Sequence, residues 1–338
     1  MIDSQQLFPY FFPTTVIFVD DNASFLKGLA LQLPEDLAYQ MFGNAEEALA
    51  RINQPGPPPL YQRCFSHYRA SGVDTGSEQL IHLDISLIER EVSNADRFRE
   101  IAVVVVDYDM PGIDGLTFCK RIENPHIRKV LFTGVADEKI AVEAFNAGVI
   151  DRFIIKNDPN AVNRVVDSLD SLQNAYFRGI SDMLRRSLLL NAPAFLSDDT
   201  FETFFNRLRR EHRFVEYYLV ARPGGFLLLN DHGVLYRLVV LDDEEVATQA
   251  KFAAANGAPD KIIEDLEKRR RLGYFYESIE EYFEAAEYEW DEYLFPCRRL
   301  AGSHVWFWSL IESPPVDIDF DDENSHYHAY LERLDIEA

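Results

Sequence analysis

Six consecutive apolar residues, Ile101–Val106 (IAVVVV), run directly into Asp107. A run this short and this rich in valine reads as a strand rather than a helix. It does not alternate with polar residues, so both of its faces must be covered, as in the centre of a parallel sheet lying between two layers of helices. The chain is therefore expected to contain a layered α/β domain with an aspartate at the carboxyl end of a central strand.

The flanking sequence repeats the theme. Thr14–Val19 (TTVIFV) is a second apolar, β-branched run, and it ends in Asp20 and Asp21. Phe25, Leu29 and Leu33 then recur every fourth residue along one helical face, closed by Pro34. Tyr39–Gly43 reads as a strand, with Asn44 capping a helix through Ile52. Lys129–Phe132 and Arg152–Ile155 read as further strands, separated by a helix over Glu138–Ala147 that Gly148 closes, and another helix follows Pro159. This alternation predicts a doubly wound α/β domain. Leu169, Leu172, Tyr176, Ile180, Met183 and Leu184 keep helical spacing, which extends the last helix toward Asn191–Pro193 as a connector.

In an open parallel sheet, ligands bind outside the carboxyl ends of the strands. Asp20, Asp21 and Asp107 all stand at such ends. Any one of them could simply cap a helix. Three carboxylates together, however, repel one another unless a hard divalent cation lies among them, and Mg²⁺ is the natural candidate. A carboxylate is also a nucleophile toward phosphorus, at a site whose other requirements are positioning and neutralisation of the transferred oxygens. Thr133 follows the strand VLF and Lys156 the strand FII, so a hydroxyl and an ammonium reach the same rim.

Taken in order, Asp20–Asp21, DYDMPGIDG from Asp107, Thr133–Gly134 and Lys156 resemble the CheY-like receiver domain of two-component response regulators, over residues 14 to about 172. The resemblance implies a flavodoxin-like, five-stranded parallel sheet. It implies that Asp107 accepts a phosphoryl group from a phosphohistidine on a sensor histidine kinase or phosphotransfer protein. Mg²⁺ would be held by Asp20, Asp21, Asp107 and the backbone carbonyl of Asp109, while Thr133 and Lys156 bind the phosphoryl oxygens. Phe153 matches the family's aromatic switch, which works with Thr133, and a homodimer is the expected assembly. Gly134 and Asn157 depart from the usual alanine and proline, which bears on the loops beside the phosphoryl group.

The expected domains are a receiver over 1–172, a helical linker over 173–193 and an α+β output domain over 194–338. Some 86 positions separate Asp21 from Asp107, more than one helix, one strand and short connections occupy. The excess reads as an insertion at about 54–100, opening on QPGPPP and turning helical over Ile85–Phe98, that serves contacts on the face opposite the aspartates. In the output half, Asp198–His212 reads as a helix and Val215–Leu241 as a meander turning at ARPGG and NDHG. Glu244–Asn256 and Asp260–Leu272 read as helices, and a strand pair is expected around Cys297–Ile311.

No helix-turn-helix, Walker, GGDEF-like, HD-type or kinase signature occurs there. A receiver with an insertion joined to such an output resembles, more specifically, quorum-sensing response regulators of the LqsR type. Two other readings stay open: a receiver-gated nucleotide-binding or nucleic-acid-processing enzyme using Asp231, Asp242 and Asp243, and an atypical DNA-binding transcriptional regulator. The basic run Lys268–Arg271 is either a helix face paired with neighbouring acids or a nucleic-acid patch. His326 and His328, spaced like strand ligands below Asp317, Asp319, Asp321 and Asp322, are either a metal site or part of a solvated acidic tail. Trp306, Phe307 and Trp308 with Tyr217, Tyr218 and Phe226 either wall a small-molecule pocket or form the core beneath a sheet.

A net charge of −24 disfavours a general nucleic-acid surface. No basic domain hides behind that average, because from Gln173 onward 18 basic residues face 32 acidic ones. Cys64, Cys119 and Cys297 form no metal or CxxC spacing, and no apolar stretch approaches bilayer length. The expected setting is the cytoplasm, without a membrane partner.

Overall fold

The computed structural model describes residues 7–54, 58–68, 80–134, 138–188, 193–275, 289–314, 320 and 325–337. They form two compact units. One comprises Pro13–Pro59, Asp96–Met183 and His328–Ala338, and the other Met1–Phe12, Leu60–Ala95 and Leu184–Tyr327.

The first unit is built on a five-stranded, all-parallel sheet. Its strands are β1 (Thr15–Val19), β2 (Tyr39–Phe42), β3 (Ile101–Val106), β4 (Arg128–Thr133) and β5 (Arg152–Ile155), in spatial order β2-β1-β3-β4-β5. This is the flavodoxin-like arrangement that the alternation predicts. All six residues of β3 are buried, as their lack of polar alternation requires.

The helices are α1 (Ala23–Ala30), α2 (Ala45–Ile52), α3 (Gly115–Lys120), α4 (Glu138–Asn146) and α5 (Ala161–Leu188). Asn22, Asn44 and Asp114 start α1, α2 and α3 by accepting otherwise unpaired amides of the first turn. Gly148 follows α4 at φ +68°, a left-handed conformation suited to glycine beyond a helix end. α5 continues for 28 residues, the connector expected from its helical spacing.

The second unit carries a six-stranded antiparallel sheet in the order Tyr10–Phe11, Phe214–Val220, Gly225–Asn230, Leu235–Leu241, Val305–Glu312, Arg298–Ala301. The meander and the late strand pair are thus where the turn signals put them. On one face, Phe195, Phe201, Phe205, Tyr217, Phe226 and Trp306 meet at ring separations of 4.7–6.1 Å. Of the aromatics weighed as a pocket wall, Tyr217, Phe226 and Trp306 are core, whereas Phe307 lines a concavity.

Asp198, 4% exposed, is tied into that core. It caps the helix Asp199–His212 through the amides of Thr200 and Phe201 and accepts Trp306 Nε1–H at 2.9 Å. Burial works against its ionisation, but the hydrogen bonds from Trp306, the two amides and Ser303 together hold its pKa below the ordinary 3.8. The depressed value means that its stabilisation is complete above pH 3.8 and is lost as pH falls through the lower folded-state pKa. Asp198→Ala removes the cap and orphans the indole N–H, so it should cost about 2–4 kcal/mol in urea unfolding at neutral pH.

Several expectations are corrected. The segment read as an insertion on the receiver does not form a separate appendage: Leu60–Ala95 clusters with the antiparallel sheet, where Leu60, Tyr61, Cys64, Ile88 and Val92 are buried. It contains the antiparallel pair Phe65–Tyr68 and Leu80–Leu83, and its short helix Ser86–Arg90 packs on the strand Phe214–Val220. Helix gives way to 3₁₀ turns at Glu91–Ser93 and Arg97–Arg99, the second of which contains Phe98. Residues 7–12 likewise join the antiparallel unit through the strand Tyr10–Phe11, so the boundary at residue 172 does not follow the packing.

The helix expected over Asp260–Leu272 stops at Glu267, because Arg269 turns left-handed at φ +53° and Arg271–Gly273 is a strand. The end of the chain is helix Tyr327–Glu337 rather than a solvated tail or strand. It is anchored by Tyr330, whose hydroxyl shares a 2.6 Å hydrogen bond with Thr15 Oγ1 and whose ring lies 5.5 Å from Phe98. His328 therefore pairs along the helix with Glu332 instead of alternating with His326, while Asp317, Asp319, Asp321 and Asp322 lie outside the described residues.

Candidate functional site

Backbone bonds at the sheet rim bring the acids together. The Asp107 amide donates to the carbonyl of Val19 at 2.9 Å, and the Asp20 amide donates to that of Phe42 at 3.0 Å. These bonds extend the β1–β3 and β2–β1 ladders by one step, so both aspartates emerge side by side above the sheet. One carboxylate oxygen from each of Asp20, Asp21 and Asp107 lies within 4.8 Å of the others. Asp20 and Asp107 are buried, at 3% and 9% exposure, and Asp21 is exposed.

The opposite wall follows the same logic. The Lys156 amide donates to the carbonyl of Thr133 at 2.9 Å, which aligns the ends of β4 and β5. Lys156 Nζ lies 3.0 Å from Asp107 Oδ2 and also pairs with Asp20 Oδ2. Thr133 is buried beside them at the end of β4. Asp109, exposed, lies in the loop two residues beyond Asp107, and Phe153 is half-buried on β5.

Burial pushes the Asp107 carboxyl above the usual carboxylate range, and the negative charge of Asp20 adds to that push. The hydrogen bond and charge of Lys156, together with the Tyr108 amide, oppose it without cancelling it. One ammonium thus faces three carboxylates, leaving two formal negative charges at the rim. An oxygen-only, negatively charged recess suits a hard divalent cation.

Two contributors escaped the sequence reading. Phe25 appears there as one apolar residue of a helical stripe, yet its ring lies 4.5 Å beneath Lys156 Nζ and packs against Phe132 at 5.7 Å. It fixes the ammonium from below while the acids hold it from the side. Gly115 opens α3 with its amide on the Tyr108 carbonyl, and a Cβ there would stand 2.3 Å from the Asp107 carbonyl oxygen. Aspartate followed by glycine was a visible turn signal, but the close approach was not. Gly115→Ala should cost about 1–3 kcal/mol, read as a lowered urea midpoint, because backbone rather than a movable side chain blocks the methyl.

The alternative carboxylate set does not converge. Asp231 and Asp242 lie beyond opposite ends of the strand Leu235–Leu241, about 20 Å apart by strand geometry. Asp231 pairs with Arg213, Asp242 forms a capping box with Glu245, and Asp243 pairs with Arg269.

A parallel sheet in this order, with acids and a lysine converging at its carboxyl rim, defines a CheY-like receiver, and the response regulator receiver domain family matches residues 89–167. The chain belongs to the response regulators. It is similar along nearly its whole length to the Legionella pneumophila response regulator LqsR, with 36% identity, a TM-score of 0.76, and coverage of 98% of this chain and 97% of that one. It is also 28% identical over 200 residues to the cyclic di-GMP phosphodiesterase response regulator RpfG of Xanthomonas campestris pv. campestris. That alignment takes in 52% of this chain, and the chain spans about half (51%) of the length of that curated relative.

Proposed function

We propose that the chain is a phosphorylation-dependent switch in which Asp107 accepts a phosphoryl group from a sensor histidine kinase or phosphotransfer protein. The observation that carries the reading is the convergence of Asp20, Asp21, Asp107 and Lys156 at one rim. An Asp107 carboxylate oxygen attacks phosphorus as the bond from phosphorus to the donor ring nitrogen breaks; the ring carries a proton on its other nitrogen and so leaves as neutral imidazole, with an acyl phosphate formed on Asp107.

Asp20, Asp21, Asp107 and the carbonyl of Asp109 hold Mg²⁺, which supplies charge neutralisation for the transferred oxygens when bound. Lys156, already drawn to Asp107, contributes an ammonium to one phosphoryl oxygen, and the Thr133 hydroxyl donates to another. The low polarity that raises the Asp107 pKa also strengthens these contacts.

The new dianion draws Thr133 toward it, and Phe153 turns into the space vacated, changing the surface of α4 and β5. α4 exposes Val142 and Phe145, each 56% accessible, an apolar pair suited to pairing two copies of the unit. Phosphorylation therefore promotes a homodimer and, through it, controls the antiparallel-sheet unit. Free thiols at Cys64, Cys119 and Cys297 fit work in a reducing cytoplasm, and among the described residues no helix is long and apolar enough to cross a membrane. The resemblance of the sequence to quorum-sensing response regulators extends the proposal to quorum-sensing signalling.

Beryllofluoride with Mg²⁺, measured by light scattering and hydrogen exchange, tests the switch. The expected result is dimerisation tightened on the order of tenfold or more, with altered exchange over α4 and β5, and a return to wild-type monomer levels in Phe145→Asp. Unchanged mass and unchanged exchange would overturn it.

A further inference from the structure

The basic run Lys268–Arg271 does not stay together. Arg270 pairs with Asp265 at 3.0 Å and Arg271 pairs with Asp291, which accounts for both as solvated ion pairs. The left-handed turn at Arg269 separates these from Lys268 and Arg269, which line an open concavity of about 560 Å³ in the antiparallel-sheet unit. Its other walls include Arg299 from the edge strand, Asp243, Cys297 and the ring of Phe307.

Three cations against one carboxylate is an unusual balance in a chain of net charge −24. The three cations differ in how they are held. Arg269 is fixed by Asp243, at 2.8 Å from Nε and 2.6 Å from Nη2, and by the carbonyl of Glu267, with its guanidinium 5.7 Å from the Phe307 ring centroid. Its remaining N–H groups are therefore pre-aimed. Lys268 leans on Glu264 at the exposed rim. Arg299 is exposed and makes no ion pair with any described residue.

A fixed guanidinium, a second arginine with no ion pair among the described residues and an ammonium at the exposed rim, around an apolar floor, match the needs of a compact polyanion. Arginine's fork suits phosphate oxygens, and lysine adds a point charge. The volume suits a small molecule. A second recess of about 250 Å³ shares Arg269; Ala247, Ala250, Ala254 and Ile263 give it apolar surface for the rest of such a ligand, beside the opposite charges of Lys251 and Glu267.

We infer that this concavity is a binding site for a small phosphorylated molecule, recognised by Arg299, Arg269 and Lys268 in the antiparallel-sheet unit. The inference is independent of the phosphoacceptor role of Asp107. A ligand bound there gives this unit an input of its own, additional to phosphorylation.

The test uses the full chain carrying Asp107→Asn, in EDTA, so that divalent-dependent binding at the receiver rim does not contribute. Pyrophosphate and ATP are titrated by calorimetry at low salt, with the Arg299→Gln/Lys268→Gln double variant alongside. Both replacements are at exposed positions, and matched thermal unfolding checks that the variant folds. The expected result is saturable binding of at least one probe, weakened on the order of tenfold or more in the double variant. Preference for ATP indicates that the apolar recess is used, and equal affinities indicate phosphate recognition alone; both outcomes support the site. No saturation by either probe at millimolar concentration, or equal affinity in the folded double variant, would overturn it.

Discussion

Asp107→Asn should abolish phosphorylation by acetyl phosphate and Mg²⁺, to below detection on a phosphate-affinity gel, while leaving the fold intact. The carboxamide keeps the shape of the side chain but is not a nucleophile, and no other acid at the rim occupies the end of the central strand. Stability should not fall and should rise slightly in the metal-free protein. Burial holds the Asp107 pKa above its unfolded value, so keeping the carboxylate ionised in the folded state costs free energy. By linkage, stability from this group is greatest when it is protonated, below the ordinary 3.8, and is lost as pH rises through the elevated folded-state value. A neutral residue escapes that loss at pH 7. Retained phosphorylation in the variant would place the acceptor elsewhere.

Lys156→Ala should separate cation binding from phosphoryl transfer. Nζ sits against Asp20 and Asp107, where a divalent ion would compete with it. Removing the ammonium frees both acids, so Mg²⁺ affinity should be unchanged or tighter by calorimetry. The same change deletes a positive charge that the transferred oxygens need, and phosphorylation by acetyl phosphate should slow by about 10²–10³-fold. A loss of Mg²⁺ binding with an unaltered rate would reverse the assignment, making Lys156 a scaffold for the acids rather than a partner of the phosphoryl group.

The rim was legible because strand ends are legible. A buried parallel strand announces itself as a continuous apolar run, and its first polar residue then marks the carboxyl edge where ligands bind. Asp20, Asp107, Thr133 and Lys156 could be placed on one edge this way before any contact was known. Phe25 could not, since a ring under a lysine and a ring in a core have the same helical spacing. Gly115 showed as a turn residue, but its closeness to the Asp107 carbonyl depends on where the loop returns.

The division into units was hidden for a different reason. Leu60, Tyr61, Cys64, Ile88 and Val92 are apolar enough for a core, but nothing local says which core receives them. The helix Ser86–Arg90, which carries Ile88, finds its partner more than a hundred residues away, on the strand Phe214–Val220. The strand Tyr10–Phe11 is two residues long, too short for alternation to register, and exists because Phe214–Val220 offers it an edge. The last helix buries Ala329 and Tyr330 on a mostly polar sequence, so its acidic neighbours dominate the pattern.

Incubating the wild-type chain with acetyl phosphate and Mg²⁺, followed by intact-mass and peptide mass spectrometry, puts the central claim to the most direct trial. One added phosphoryl group, carried by Asp107 and absent when EDTA replaces Mg²⁺, is the predicted result. A chain that gains no phosphoryl group, or gains it at another residue, would contradict it.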